Sequence, residues 1–321
     1  MIATYAIPFF YIVGLVVVPL IAALLCRWLM PRKVWRYGAL ACTLIIWGVV
    51  AYGTFVGFRQ LRVRHVTYWS RDLPAAFDGY RIVQFSDAHV ATMDDYFGDM
   101  MVQMVDSINA QHGDAIVFTG DMVNLYDADM LFTPAYVLSR IEQANGVFSV
   151  LGNHDYIMYR DISEEQRERE RQHLIEIERR PGWHVLLNEH IVIRRGADSI
   201  VMAGMENWGK VKRMPRRGDV RKTLEGVSDS AFVVMLQHDP TCWREKILPE
   251  CHAQLTLSGH THGGQFSLFG WSPASLVYDE WSGMTYEGSR AINVTTGVGA
   301  LVPFRLGQPG EIVVITLRRK Q

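Results

Sequence analysis

The sequence predicts an α/β domain of two packed β-sheets with helices outside, carried behind two membrane-spanning helices. Three observations predict it. Two long uncharged apolar segments open the chain, short β-rich runs then alternate with helical patterns, and beyond Pro181-Gly182 strands succeed one another without room for helices between them. Such a mixture builds layered α/β domains rather than helical bundles or closed barrels.

The apolar segments come first. Ala6 to Cys26 is a run of 21 residues without a charge, and Tyr37 to Phe58 a run of 22. About 20 apolar residues suffice for a helix to cross a hydrocarbon core roughly 30 Å thick. A cleaved signal peptide would carry a basic start and a shorter apolar run, of about 7–15 residues. Here no Lys or Arg precedes Arg27. The link between the segments holds Arg27, Arg32, Lys33 and Arg36, flanked by Trp28 and Trp35. The positive-inside rule puts that link in the cytoplasm and both chain ends outside. Arg59, Arg62, Arg64 and Arg71 pull the other way. The balance favours a multi-pass protein of the cell membrane with an extracytoplasmic domain. Residues 1–58 are thus expected to form a membrane anchor and 59–321 a single domain, with no Gly/Ser-rich linker or internal repeat between or within them.

Bulk composition narrows the class. The 321 residues are 49% hydrophobic and 20% charged, with formal net charge −1. That supports a large core and argues against disorder. It gives no support for a nucleic-acid partner. Cys26 and Cys42 fall in the apolar segments; Cys242 and Cys251 could pair in an oxidising compartment, though nothing demands it. Nothing in the sequence specifies an oligomeric state or a substrate-binding residue.

Strands are expected at Tyr80–Ser86, Ala115–Thr119 and Gly146–Leu151, with helices at Asp99–Asn109, Thr133–Ala144 and Ile162–Arg180. Further strands are expected at Trp183–Leu187, Ile191–Arg195, Ser199–Gly204, Ala231–Leu236, Gln254–Leu257, Ala291–Thr295 and Glu311–Leu317. The Glu- and Arg-rich helix 162–180 reads as a solvated face with local ion pairs.

The residues just past the strand ends carry the chemistry. YRIVQFS leads into Asp87-Ala88-His89, AIVFT into Gly120-Asp121, and VFSVL into Gly152-Asn153-His154-Asp155. AFVVML leads into Gln237-His238-Asp239, and AQLTL into Ser258-Gly259-His260-Thr261-His262-Gly263-Gly264. A lone histidine at a strand end is usually a satisfied polar group. Five strand ends agreeing outweigh that reading, because ligands bind at the carboxyl ends of strands in open α/β sheets. Carboxylate, amide oxygen and imidazole together suit Mn, Fe or Zn. Seven such groups are too many for one tetrahedral ion and fit two ions sharing a carboxylate. The i, i+2 spacing of Asp87/His89 and of His260/His262 is that of residues on one side of a strand. Glycines at 120, 152, 259, 263 and 264 let the backbone turn tightly beside them. His65, His112, His173, His184, His190 and His252 lack such a setting and read as surface or packing residues.

Asp87-x-His89, Gly120-Asp121, Gly152-Asn153-His154-Asp155, His238 and Gly259-His260-x-His262 resemble, in order, the five motifs of the calcineurin-like metallophosphoesterase family. The likeness covers about Leu73 to Leu317. It implies a four-layer sandwich of two sheets flanked by helices, with a binuclear metal centre. It also implies a hydrolase of phosphoric ester bonds working by attack of a metal-activated hydroxide. By position, Asp87, His89, Asp121 and His262 would hold one divalent ion and Asp121, Asn153, His238 and His260 the other, with Asp121 as the bridge. His154 would sit over the reacting phosphate as the acid, and Asp155 would orient His154 or cap a loop. The forms SDAH, GDMVN, GNHD and GHTHGGQF resemble a bacterial membrane-anchored branch, as do Thr295–Gly299 and Arg305. That branch includes lipid phosphodiesterases and UDP-2,3-diacylglucosamine pyrophosphatases. The expected substrate is therefore a phosphodiester or pyrophosphate, a lipid-linked one among the candidates. A phosphomonoesterase or nucleotidase is the alternative, and a non-catalytic membrane scaffold a more distant one.

Two further stretches stand out. Lys210–Lys222 has seven basic residues in thirteen; it is a solvated loop or an anion-attracting rim. Phe266, Phe269 and Trp271 come after the last motif and are read as packing residues or as an apolar lip for a lipid tail.

Overall fold

Alternation of side chains along the strands sets the layers. The computed structural model describes residues 2–142 and 145–320, leaving Met1, Gln143, Ala144 and Gln321 outside. Twelve strands occur among the described residues: β1 (Leu61–Ser70), β2 (Arg81–Phe85), β3 (Ala115–Phe118), β4 (Val147–Ser149), β5 (His184–Val185), β6 (Glu189–Arg195), β7 (Asp198–Gly204), β8 (Val233–Leu236), β9 (Leu255–Ser258), β10 (Gly283–Glu287), β11 (Arg290–Val294) and β12 (Gly310–Arg319). They form two six-stranded sheets, ordered β1-β12-β2-β3-β4-β5 and β10-β11-β9-β8-β7-β6. In the first, β2 to β5 run parallel, and β12 lies antiparallel to β2 and parallel to β1. In the second, β7, β8, β9 and β11 run parallel, with β6 and β10 antiparallel at the edges.

Ala115 and Val117 of β3 face the opposite sheet, while Ile116 and Phe118 face the helices. On β8, Val234 and Leu236 point between the sheets and Val233 and Met235 point out. Strands covered on both faces must be apolar throughout, hence AIVF and VVML. Helices Asp99–Asn109 and Glu164–Arg179 cover the first sheet through Met101, Val105, Ile108, Leu174 and Ile177. Val220 and the Trp243–Ile247 turn cover the second. The result is the four-layer sandwich expected from the sequence.

Helix Asp99–Asn109 has the expected ends. Glu164–Arg179 starts where the Ser163 side chain accepts from the Gln166 N–H, a standard N-cap. The helix expected over 133–144 is shorter, Thr133–Leu138, and then turns; the end of the expected range, Gln143-Ala144, falls outside the described residues. Two strands and an eight-residue helix, besides shorter helical turns, were not anticipated. β1 hides as the basic stretch after the second apolar segment, because Arg62 and Arg64 meet the buried Glu311 carboxylate of β12. β10 is a short edge strand, and Val90–Phe97 is the unanticipated helix.

The apolar segments form helices Tyr5–Leu29 and Trp35–Gly57, each long and apolar enough to cross a membrane. Both dock on one loop of the domain. Phe10 packs on Phe304 with ring centroids 4.8 Å apart. The Tyr11 hydroxyl lies 2.9 Å from Thr54 Oγ1 and donates to the Pro303 carbonyl at 3.3 Å. The Arg305 N–H donates to the Gly53 carbonyl at 3.0 Å.

Candidate metal centre

The loops after β2, β3, β4, β8 and β9 converge at one end of the seam between the sheets. The first two continue each other's pairing past the strand ends. Asp87 N–H donates to Gly120 O at 2.8 Å and His89 N–H to Asp121 O at 3.2 Å. Asp87 (φ 54), His89 (φ 44), Asp121 (φ 60), His260 (φ 74) and His262 (φ 51) are all left-handed. Non-glycine residues adopt that region rarely, Asp and His more readily than most, and they tend to do so at functional sites. Gly120 is also left-handed (φ 96), and a Cβ there would press on the Gly152 backbone. A Cβ on Gly259 would collide with Ser86 Oγ and Asp87 Oδ2.

These backbones aim seven side chains at each other. Asp87, His89 and His262 form one group whose ligand atoms lie within 4.8 Å of one another, and Asp121, His238 and His260 form a second. Asp121 also groups with His89 and His154. Its Oδ2 is 3.2 Å from His238 Nε2 and 3.8 Å from His89 Nε2. His238 Nε2 is in turn 3.2 Å from His260 Nδ1. Asp87, His89 and His238 are fully buried, and Asp121 and Asn153 nearly so. Asn153 Nδ2 donates to the Tyr159 hydroxyl at 2.7 Å, which leaves Oδ1 as its inward atom.

Crowding perturbs the titrating groups. Burial, with His154 and other imidazoles nearby, holds His89 well below the usual histidine range. Burial takes His262 down to about 4 against the pull of Asp87. Burial also opposes the charged form of His238, yet Asp121 outweighs it and raises His238 to about 10. The buried His89 Nδ1 and Nε2, Asn153 Oδ1 and His262 Nδ1 have no hydrogen-bond partner among the described residues. An unpaired buried polar atom costs roughly 1–3 kcal/mol. Four of them beside two buried carboxylates, among oxygen and imidazole donors, fit a centre built for divalent cations.

A family model for calcineurin-like phosphoesterases matches residues 80–264, which include all of these side chains. The chain belongs to that family. An uncharacterised metallophosphoesterase of Bacillus subtilis (strain 168), YkuE, is 30% identical over 294 residues, covering 88% of this chain and 94% of that one. An uncharacterised metallophosphoesterase of Aquifex aeolicus (strain VF5) is 30% identical over 267 residues, covering 81% and 93%. A transmembrane protein with metallophosphoesterase domain from Danio rerio is 28% identical, covering 86% of this chain and 62% of that one. The chain is accordingly a hydrolase of phosphoric esters, in a family that uses divalent metals.

The phosphoesterase site corrects one expectation and decides another. Asp87/His89 and His260/His262 do not converge by strand alternation, since each pair lies beyond its strand on left-handed backbone. Of the two roles expected for Asp155, the structure shows the loop-capping one and not the orienting of His154. Its carboxylate accepts N–H bonds from Asp121, Met122, Val123 and Gly152, tying the β3 and β4 loops together. Burial and the neighbouring Asp121 carboxylate raise its pKa to about 7, against the pull of those donors. The partner of His154 is a backbone atom, with Nδ1 2.6 Å from the Asn124 carbonyl oxygen.

Tyr159 and Tyr278 were missed. Tyr278 Oη is 3.1 Å from His260 Nε2, and the Tyr159 and His154 ring centroids are 4.4 Å apart. Burial raises both phenols to about 12 and the Arg213 charge opposes it. Elsewhere in the basic stretch Lys210 pairs with Glu245, Arg217 with Glu168, and Arg216 covers Trp208. Lone tyrosines 15 or more residues from the nearest histidine motif, or just behind one, carry no spacing signal. Cys242 and Cys251 are both free.

Asp155→Asn sets an amide NH2 against backbone donors. It should cost roughly 1–3 kcal/mol of stability and lower bound metal, read by thermal melting and elemental analysis. A variant with unchanged melting and full metal content would contradict the loop-tying role.

Proposed function

We propose that this phosphoesterase spans the membrane through residues 1–58 and uses its 59–321 domain to hydrolyse a phosphodiester or pyrophosphate bond of a lipid-linked substrate. One observation carries the reading. A carboxylate shared by two imidazole groups lies under a backbone-fixed histidine, on loops packed against the one that docks the apolar helices. The Gly299 N–H donates to Asp87 O at 2.9 Å, and the Thr92 hydroxyl to Leu301 O at 3.3 Å.

Asp87, His89, Asp121 and His262 would hold one cation and Asp121, Asn153, His238 and His260 the other. Two cations there supply the charge that makes hydroxide available near neutral pH and offsets charge in an in-line displacement at phosphorus. The chain's own groups do the rest. Asp121 joins the two halves of the site. With Nδ1 held at Asn124 O, Nε2 is the His154 atom left to donate a proton to the leaving oxygen. The Arg213 charge favours an anionic substrate at the rim beside Tyr159 and Tyr278. The form of the motifs and the apolar helices support the lipid-active, bacterial branch.

His154→Ala should lower turnover of a dialkyl-type phosphodiester with a poor leaving group by roughly 100-fold or more, and that of bis-p-nitrophenyl phosphate less, while elemental analysis still finds two metal equivalents. Loss of metal together with activity would sink the acid role. Removing residues 1–58 should reduce hydrolysis of vesicle-embedded lipid phosphodiesters more than that of the soluble chromogenic ester. Equal losses, or a preference for phosphomonoesters across a substrate panel, would overturn the lipid-linked reading. The four cations of the 27–36 link support an extracytoplasmic domain. External protease should then cut the domain in intact cells, and full protection would reverse the orientation.

A further inference from the structure

Between the metal-site residues His262 and Tyr278 runs an excursion whose stretch Gln265–Tyr278 contains no charged residue. Its centre is a tight hairpin. Leu268 N–H donates to Trp271 O at 2.9 Å and Trp271 N–H to Leu268 O at 3.0 Å. The two turn residues, Phe269 and Gly270, are both left-handed, at φ 52 and 83. Two-residue hairpin turns of this kind favour Asn-Gly or Asp-Gly, because a bulky residue at positive φ is strained. Here the strained position holds an aromatic ring that is 99% exposed. Leu268, Trp271, Leu276 and Val277 are exposed around it. A contiguous apolar surface of this kind marks a contact with a protein or a membrane.

Its place in the fold says which. The hairpin base is fastened to the loop that docks the apolar helices. The Gln265 side chain donates to the carbonyls of Val302 and Phe304 at 2.8 and 2.6 Å. Ser267 N–H donates to Leu306 O at 2.8 Å, and Phe266 bridges to Leu306. That same loop touches the helices at Phe10, Tyr11 and Gly53. From Tyr11 to Leu29 the helix rises through 18 steps, or about 27 Å at 1.5 Å per residue, close to one hydrocarbon thickness of about 30 Å. The docking loop therefore lies at the boundary of the bilayer, with the hairpin beside it.

We propose that the Leu268–Trp271 hairpin, with Leu276 and Val277, is a membrane wedge inserted into the leaflet nearest the domain, which seats the metal centre against the lipid surface. The proposal rests on the apolar helices spanning that bilayer. It does not depend on which phosphoester is cleaved. Aromatic residues favour this interfacial depth, and an uncharged segment enters it without burying a charge. Since the excursion that carries the wedge runs from His262 to Tyr278, the depth of the wedge fixes the height of the site above the hydrocarbon.

The test uses the full chain in phosphatidylcholine–phosphatidylglycerol vesicles, with the four native cysteines changed to alanine. Single cysteines at Phe269→Cys, at Leu24→Cys in the first helix and at Ser228→Cys before β8 each carry an environment-sensitive fluorophore. The expected result is a blue shift at position 269, with more than about half its emission lost to doxyl-labelled acyl chains and protection from aqueous iodide. Position 24 should respond to doxyl in the same way, and position 228 only to iodide. If position 24 responds to doxyl but 269 responds only to iodide, the wedge is overturned and the spanning helices stand. Shielding of 269 from both quenchers means protein covers it, a second copy for instance, and overturns the wedge as well. No doxyl response at position 24 overturns the spanning helices and the wedge together. Should the cysteine-free chain fail to fold, Trp271→Phe in the natural chain replaces it. That variant should lose part of the lipid-quenchable tryptophan emission, and an unchanged quenchable fraction would overturn the proposal.

Discussion

Asp121 stands at the point where the two sheets contribute to one site, and its carboxylate faces imidazoles from both. His89 comes from the first sheet's loops, His238 and His260 from the second's. A carboxylate with almost no exposure is costly unless its charge is answered. The surrounding groups answer it so strongly that, despite burial, His238 and His154 hold its pKa well below the usual carboxylate range. The local backbone is arranged to make that meeting possible. Left-handed residues turn the side chains inward, the Asp155 carboxylate gathers the β3 and β4 loops, and the Thr119 carbonyl holds His238 Nδ1 at 2.7 Å.

A second constraint lies between this centre and the apolar helices. Arg305 is fully buried, and burial takes its pKa down to about 10. Its guanidinium donates to the carbonyls of Thr296, Gly297, Gly299, Gln308 and Pro309, so backbone dipoles solvate the charge. That folds residues 296–309 into one body. One side of it touches Asp87 through Gly299; the other touches the helices through Pro303, Phe304 and Arg305 itself. The position of the metal loops relative to the helices is thereby fixed by packing rather than by a linker.

Much of this was legible in the sequence, for reasons that can be named. AIVF and VVML announce strands covered on both faces, since only apolar residues survive there. The residues after them announce a site, because carboxylates and histidines at the ends of apolar strands have no packing reason to recur five times. β1 was not legible, because its alternate arginines look like a charged flank until Glu311 of β12 is placed beside them. Which of its two roles Asp155 takes was not legible for a related reason. Adjacency to His154 suggested a side-chain partner, whereas the four N–H groups that need its carboxylate come from two different loops.

By itself, then, the sequence determined the layered fold, the residue types at the site and the presence of two helices apolar enough to enter a membrane. These come from local pattern: side-chain period, uncharged length and the chemistry at strand ends. Only the tertiary structure decided that Asp121 faces imidazoles from both sheets, that Asn124 rather than Asp155 holds His154, and that Tyr159 and Tyr278 flank the site. It alone also put Phe269 in the open beside the docking loop. Each of these depends on contacts between segments far apart in the chain, and no local period records which backbone carbonyl or distant ring will lie within 3 or 4 Å once the sheets have packed.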